Sequence, residues 1–240
     1  MLITGGALRI GRAIALDLAR QGAVIVLHYN RSAQHARALQ KEIRSLGGEA
    51  VLAQADFARA PSAAAVSKFV KQLARKAGRI DVLVNNASIF YPTRLDRVRQ
   101  KDWDDFMNVN LAAPFFLARE LGLAMKKRKS GKIINLVDWT AFHPHPDYLP
   151  YAISKAGLQA ATVGLARALA PEVQVNSIAP GPILPSRGMT AAQKKAVTQR
   201  TLAKRFGAPA DIAAAVRFLV EGTDYVTGAC IPVDGGSLIA

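Results

Sequence analysis

A chain of 240 residues, half of them hydrophobic and only 20% charged, has the composition of a folded protein with a sizeable core. Its 32 lysines and arginines against 17 aspartates and glutamates give a net charge of +15, but the basic residues lie on many separate segments without interleaved aromatics, which argues against specific nucleic-acid binding. No apolar run reaches the length of a membrane span, Met1 leads into Thr4-Gly5-Gly6 without a cleavable signal, and the lone Cys230 has no disulfide partner within the chain, so a cytoplasmic protein is expected.

Short β-branched runs alternate with helical patterns along the chain. This predicts an α/β fold: a single domain over residues 1–240, with a doubly wound (Rossmann) parallel seven-stranded sheet and helices on both faces. The strands are predicted at 2–4, 23–28, 50–54, 82–85, 132–137, 174–178 and 230–233. The first helix shows Ile10, Ile14 and Leu18 on one stripe, and later helices are predicted at 32–46, 62–77, 101–127, 151–169, 191–202 and 210–220. The first strand is short for the centre of such a sheet, and a translation start upstream of Met1 would lengthen it.

Between the first strand and first helix lies Thr4-Gly5-Gly6-Ala7-Leu8-Arg9-Ile10-Gly11, where glycines let backbone N–H groups approach a pyrophosphate. Arg9 adds a cation that can reach cofactor phosphate or an anionic substrate edge. The second strand ends in His28-Tyr29-Asn30-Arg31-Ser32, with no carboxylate to hold a ribose diol. Arg31 and Ser32 suit a 2′-phosphate instead, so NADP(H) is expected; Ser32 can cap the following helix at the same time.

Farther along, Tyr151 and Lys155 stand at i and i+4 on one helix face, with Asp138 thirteen residues before the tyrosine. An ammonium beside a phenol is expected to lower the phenol's pKa and make it a usable proton donor. A carboxylate beside them would repel a developing oxyanion but attract a ring N–H, which predicts a nitrogen heterocycle as substrate. The polar stretch 183–206 is expected to cover the site. His143 and His145 have no third ligand spaced with them, and no metal is expected.

With the glycine turn, Asn85-Asn86-Ala87, Asn110, Tyr151-xxx-Lys155 and Pro180-Gly181 in this order, the chain resembles the short-chain dehydrogenase/reductase family over its whole length. Arg9, the segment Ser88-Ile89-Phe90-Tyr91-Pro92-Thr93, Asp138 in place of a serine, and His28 to Ser32 resemble the pteridine reductase and dihydromonapterin reductase subgroup. The resemblance implies cofactor contacts from Gly5, Arg9, Ile10, Tyr29, Asn30, Arg31 and Ser32, then from Asp56 at the adenine, Asn86, Ala87, Ser88, Tyr151, Lys155, Pro180 and Gly181. It implies a pterin substrate held by Arg9, Ser88, Phe90, Asp138 and Tyr151, with Phe90 stacked on the ring, and a catalytic set of Asp138, Tyr151, Lys155 and Asn110, the last holding a relay water. The resemblance further implies a homodimer or homotetramer packed on helix 151–169, which is rich in small residues such as Ala156, Gly157, Ala160 and Gly164. The expected reaction is NADPH-dependent reduction of a pterin C=N bond with a proton from Tyr151. The alternatives are an NADPH-dependent carbonyl or 3-oxoacyl-thioester reductase, and a non-catalytic NADPH-binding or nucleic-acid-associated scaffold.

Overall fold

The structure, a computed structural model, describes residues 1–59, 61–185 and 188–240. Strand β1 (Leu2–Ile3) is completely buried and pairs in parallel with β2 (Ile25–Tyr29) on one side and β4 (Val82–Asn85) on the other. Adding β3 (Ala50–Gln54), β5 (Gly131–Leu136), β6 (Val173–Pro180) and β7 (Cys230–Val233) gives a seven-stranded parallel sheet in the order β3-β2-β1-β4-β5-β6-β7. The strand order reverses between β1 and β4, and the carboxyl ends of those two strands therefore open the crevice where ligands bind in such folds.

Alternation along the strands builds two cores. Leu2, Val26, Leu83 and Ile133 face helices α3 (Ala63–Ala77), α5 (Ala113–Lys127) and α6 (Leu149–Leu169). Their neighbours Ile3, Leu27, Val84 and Ile134 face α1 (Arg9–Arg20), α2 (Ala33–Ser45) and α8 (Pro209–Arg217). A period of two thus serves both layers, since both faces of the sheet are covered. From β4 through β5 to α6 runs a buried polar chain: the Asn85 amide donates to Asn135 Oδ1 at 2.8 Å, and the Asn135 amide donates to Thr162 Oγ1 at 2.9 Å, fixing the register of α6 on the sheet.

Predicted and observed helices differ in places. The 101–127 pattern forms α4 (Gln100–Met107) and α5 joined by a π-helical turn, Asn108–Ala112. The wider turn has no signature in apolar spacing, because the flanking helices keep their own stripes. The predicted 191–202 helix is shorter as α7 (Ala191–Gln199), started by a reciprocal Thr190–Gln193 capping box and burying none of its residues. No helix among the described residues is long and apolar enough to cross a membrane.

Candidate active site

The glycine turn is shaped from both sides of the crevice. Thr4 Oγ1 accepts from the backbone N–H groups of Asn86 and Ala87, each at 2.9 Å, while the Asn86 amide donates to the carbonyls of Thr4 at 2.8 Å and Gly5 at 3.1 Å. Gly5 sits at φ +62, and a Cβ on Gly11 would lie 2.3 Å from the Gly5 carbonyl, so neither position admits a larger side chain without rearrangement. Arg9, where a glycine is the family residue, also takes a left-handed φ of 53, a strained position for a side chain at the start of α1. Ile10 is half-buried and packs on the α1 side of the core.

At the end of β2 the Asn30 amide donates to Asp56 Oδ1 at 3.0 Å, which also accepts from Ala58 N–H. Tyr29 is half-buried and its carbonyl accepts from Ala55 N–H. Ser32 holds the N-cap position of α2 but its hydroxyl makes no capping bond. The expected double use of Ser32 is therefore reduced to one: the hydroxyl points to no helix donor and is available to an anion beside exposed Arg31. Pro180 ends β6, and a Cβ on Gly181 would stand 2.6 Å from Asp234 Cα, which explains a glycine there by close backbone approach. A cradle that Cβ atoms would fill, with Arg31 and a free hydroxyl at its far end, fits an anionic dinucleotide bearing a 2′-phosphate.

Asp138, Tyr151 and Lys155 are brought together at the ends of β5 and α6. The Tyr151 hydroxyl donates to Asp138 Oδ2 at 2.9 Å, and Lys155 Nζ donates to the Leu136 carbonyl at 2.8 Å, 5.7 Å from the centre of the Tyr151 ring. Asp138 Oδ1 accepts from both the backbone N–H and the hydroxyl of Thr140, at 2.9 and 2.7 Å. Thr140 is thus a further residue of the site, and its mark in the sequence is a threonine two residues after an acidic N-cap.

The electrostatics differ from expectation. Burial, then the charge of Asp138 and the hydrogen bond to it, raise the Tyr151 phenol well above its usual pKa, with the Ser88 hydroxyl acting the other way. Lys155 does not lower it, because Asp138 lies closer and Lys155 itself is pulled by burial to about 8. Burial likewise raises the Asp138 carboxyl, opposed by the bonds from Thr140 and Tyr151 and by Lys155. Burial thus moves Asp138 toward the neutral acid relative to the unperturbed carboxylate expected from the sequence.

Phe90 and Asn110 are both engaged with protein neighbours. Phe90 stacks on Tyr148, ring centres 4.7 Å apart and 3° from parallel, and meets Tyr151 edge-on at 4.8 Å, while the residue as a whole stays 52% exposed. The Asn110 side chain donates to Ile89 O and Ser154 Oγ, each at 3.2 Å, and accepts from Ile89 N–H at 3.0 Å and Ser88 Oγ at 3.2 Å. All four hydrogen-bonding capacities of the side-chain amide are engaged by protein. Ser88 is drawn onto Asn110 and the Ile89 carbonyl. Two residues of the expected covering segment, 186 and 187, lie outside the described residues. His143 and His145 are exposed, and among the described residues no group of three metal-binding side chains exists.

Comparison with known proteins bears on the chemistry. A family model described as enoyl-(acyl carrier protein) reductase matches residues 6–237. The 3-oxoacyl-[acyl-carrier-protein] reductase of Synechocystis sp. is 36% identical, covering 99% of this chain and 96% of that one. The 3-oxoacyl-[acyl-carrier-protein] reductase FabG of Staphylococcus aureus is 36% identical over 98% of this chain and 96% of its own. Among solved structures, FolM alternative dihydrofolate reductase 1 from Brucella suis in complex with NADP has a TM-score of 0.91 at 35% identity, covering 100% of this chain and 94% of that one. The curated relatives, named for 3-oxoacyl thioester reduction, overturn the expected pterin substrate. The raised pKa of Asp138 weakens the electrostatic argument for a nitrogen heterocycle as well.

Proposed function

Because the chain belongs to the short-chain dehydrogenase/reductase family, we propose that this NADPH-dependent oxidoreductase reduces the ketone of a 3-oxoacyl thioester to the hydroxyl. The observation that carries the reading is the Tyr151–Asp138 contact of 2.9 Å beside Lys155. NADPH, when bound, supplies the hydride. The protein's part is to place and protonate the ketone oxygen.

Tyr151 gives its phenolic proton to that oxygen. Asp138 acts in its neutral form: Oδ1 already accepts twice from Thr140, so the acid proton sits on Oδ2 and the 2.9 Å bond reverses, Oδ2–H donating to the Tyr151 oxygen while the phenolic proton turns to the ketone. A neutral carboxylic acid there stabilises developing negative charge, where the ionised form would oppose it. Lys155, an ammonium below about 8, adds a positive charge 5.7 Å from the centre of the Tyr151 ring. Arg31 and Ser32 bind the 2′-phosphate, and the N–H groups at the start of α1 face the pyrophosphate.

Two further readings belong to this function. The segment around α7 covers the substrate, an assignment supported by its lack of buried side chains and so its freedom to shift without disturbing the core. The chain is a homo-oligomer packed through α5 and α6, where Phe115, Leu123, Ile153 and Val163 are exposed on the two adjacent helices.

The test is NADPH oxidation with 3-oxobutanoyl and crotonyl thioesters side by side. Turnover with the oxo ester that exceeds turnover with the enoyl ester is expected. Faster enoyl reduction, or no oxidation with either, overturns the proposal.

A further inference from the structure

His28 belongs to no part of the chemistry above, yet it is almost fully buried beneath the cofactor crevice. Its Nδ1 accepts from Gly5 N–H at 3.1 Å, and its Nε2 meets the Ala55 carbonyl at 3.2 Å. A backbone N–H only donates and a carbonyl only accepts, so these partners fix the tautomer with the proton on Nε2. Burial pulls His28 down to about 4, which keeps it in that neutral state across the physiological range. The ring stacks on Phe57 with centres 4.4 Å apart and meets Phe69 edge-on at 5.8 Å, so the imidazole has no room to rotate away from either partner. The His28 carbonyl accepts from Gly6 N–H at 3.0 Å as well.

These contacts join two walls of one crevice. Gly5 shapes the turn under the pyrophosphate, and Ala55 precedes Asp56, the carboxylate expected at the adenine. We propose that His28 is a positioning residue for the dinucleotide, a single side chain that sets the distance between the glycine turn and the adenine wall. The inference rests on the NADPH reading of the crevice. It assigns Gly5 and Gly6 a supporting part, since both direct their N–H groups at His28; the anion is left to the N–H groups that begin α1.

NADPH binding, followed by fluorescence titration without substrate, tests this apart from any turnover. His28→Leu keeps the bulk and removes both bonds, and is expected to weaken NADPH binding about tenfold, the equivalent of roughly 1.4 kcal/mol. His28→Gln, with an acceptor and a donor at its tip, is expected to recover most of that loss. Phe57→Leu disturbs the packing but spares both bonds, and is expected to lower the melting temperature while leaving NADPH affinity within about twofold of the parent. Should His28→Leu not fold, His28→Asn, too short to span both partners, replaces it in the comparison. Equal NADPH affinity in parent and His28→Leu or His28→Asn overturns the proposal, as does a Phe57→Leu protein that loses affinity as strongly as they do. Failure of the parent to bind NADPH would instead overturn the cofactor reading itself.

Discussion

At the scale of single residues, the site is governed by one shared hydrogen bond. Tyr151→Phe removes the proton donor and is expected to cut turnover by about 10²–10⁴ while leaving NADPH affinity intact, measured by steady-state kinetics beside direct titration. For Asp138 the question is whether charge or hydrogen-bond donation matters. If donation matters, Asp138→Asn should retain turnover within about tenfold, whereas Asp138→Ala should lose about 10²–10³. An inactive Asp138→Asn protein that folds normally would return the role to the carboxylate charge.

The same residues give a pH profile with a definite sign. Lys155 titrates near 8 in the folded protein against an ordinary 10.5, so its ammonium, and with it activity, declines as pH rises through about 8. The unfolded chain still binds that proton between 8 and 10.5, so this residue's contribution to stability rises over the same interval. An alkaline fall in kcat/KM without a fall in melting temperature is therefore expected.

Among the elements, the π-helical turn Asn108–Ala112 matters most for function, because it delivers Asn110 to the loop after β4. Asn110→Leu would strand the N–H of Ile89 and leave its carbonyl with only the Ser88 hydroxyl, at about 1–3 kcal/mol for the unsatisfied group, and should lower the urea midpoint and raise KM together. A raised KM with an unchanged midpoint would contradict that account. Nothing in the sequence announced this turn: an extra residue in a helix leaves the apolar stripes on either side in place. Strands, by contrast, were legible because both faces of the sheet are buried, giving compact apolar runs such as Val82–Asn85, which was predicted with its observed bounds. Motif spacing likewise located Asp138, Tyr151 and Lys155. It could not reveal their protonation, since burial exceeds any pairwise charge effect among them and depends on residues from several elements. Nor could spacing show that Phe90 would meet Tyr148, whose loop is joined to it by the Thr93–Tyr148 bridge.

For the whole molecule, a net charge of +15 opposes close approach of copies, yet the α5–α6 surface is apolar. Ile153, Ala156, Ala160, Val163 and Gly164 form an exposed stripe along α6, and a Cβ added at Gly164 would meet nothing within 4 Å. An acidic pair, Ile153→Glu with Val163→Glu, is expected to shift sedimentation from oligomer to monomer with the melting curve still cooperative. An unshifted oligomer would move the interface elsewhere.

The short 3-10 turn after β5, Trp139–Ala141, is opened by Asp138, whose side chain takes the Thr140 N–H. Serine ranks with aspartate at such a helix start, so the loop's conformation places little constraint on which of the two is present. What changes between them is the acidity and the second oxygen, Oδ2, which receives Tyr151. A lineage could therefore retune how this pocket handles protons by exchanging one side chain at a position whose architectural duty both alternatives fulfil, leaving the scaffold indifferent to the choice.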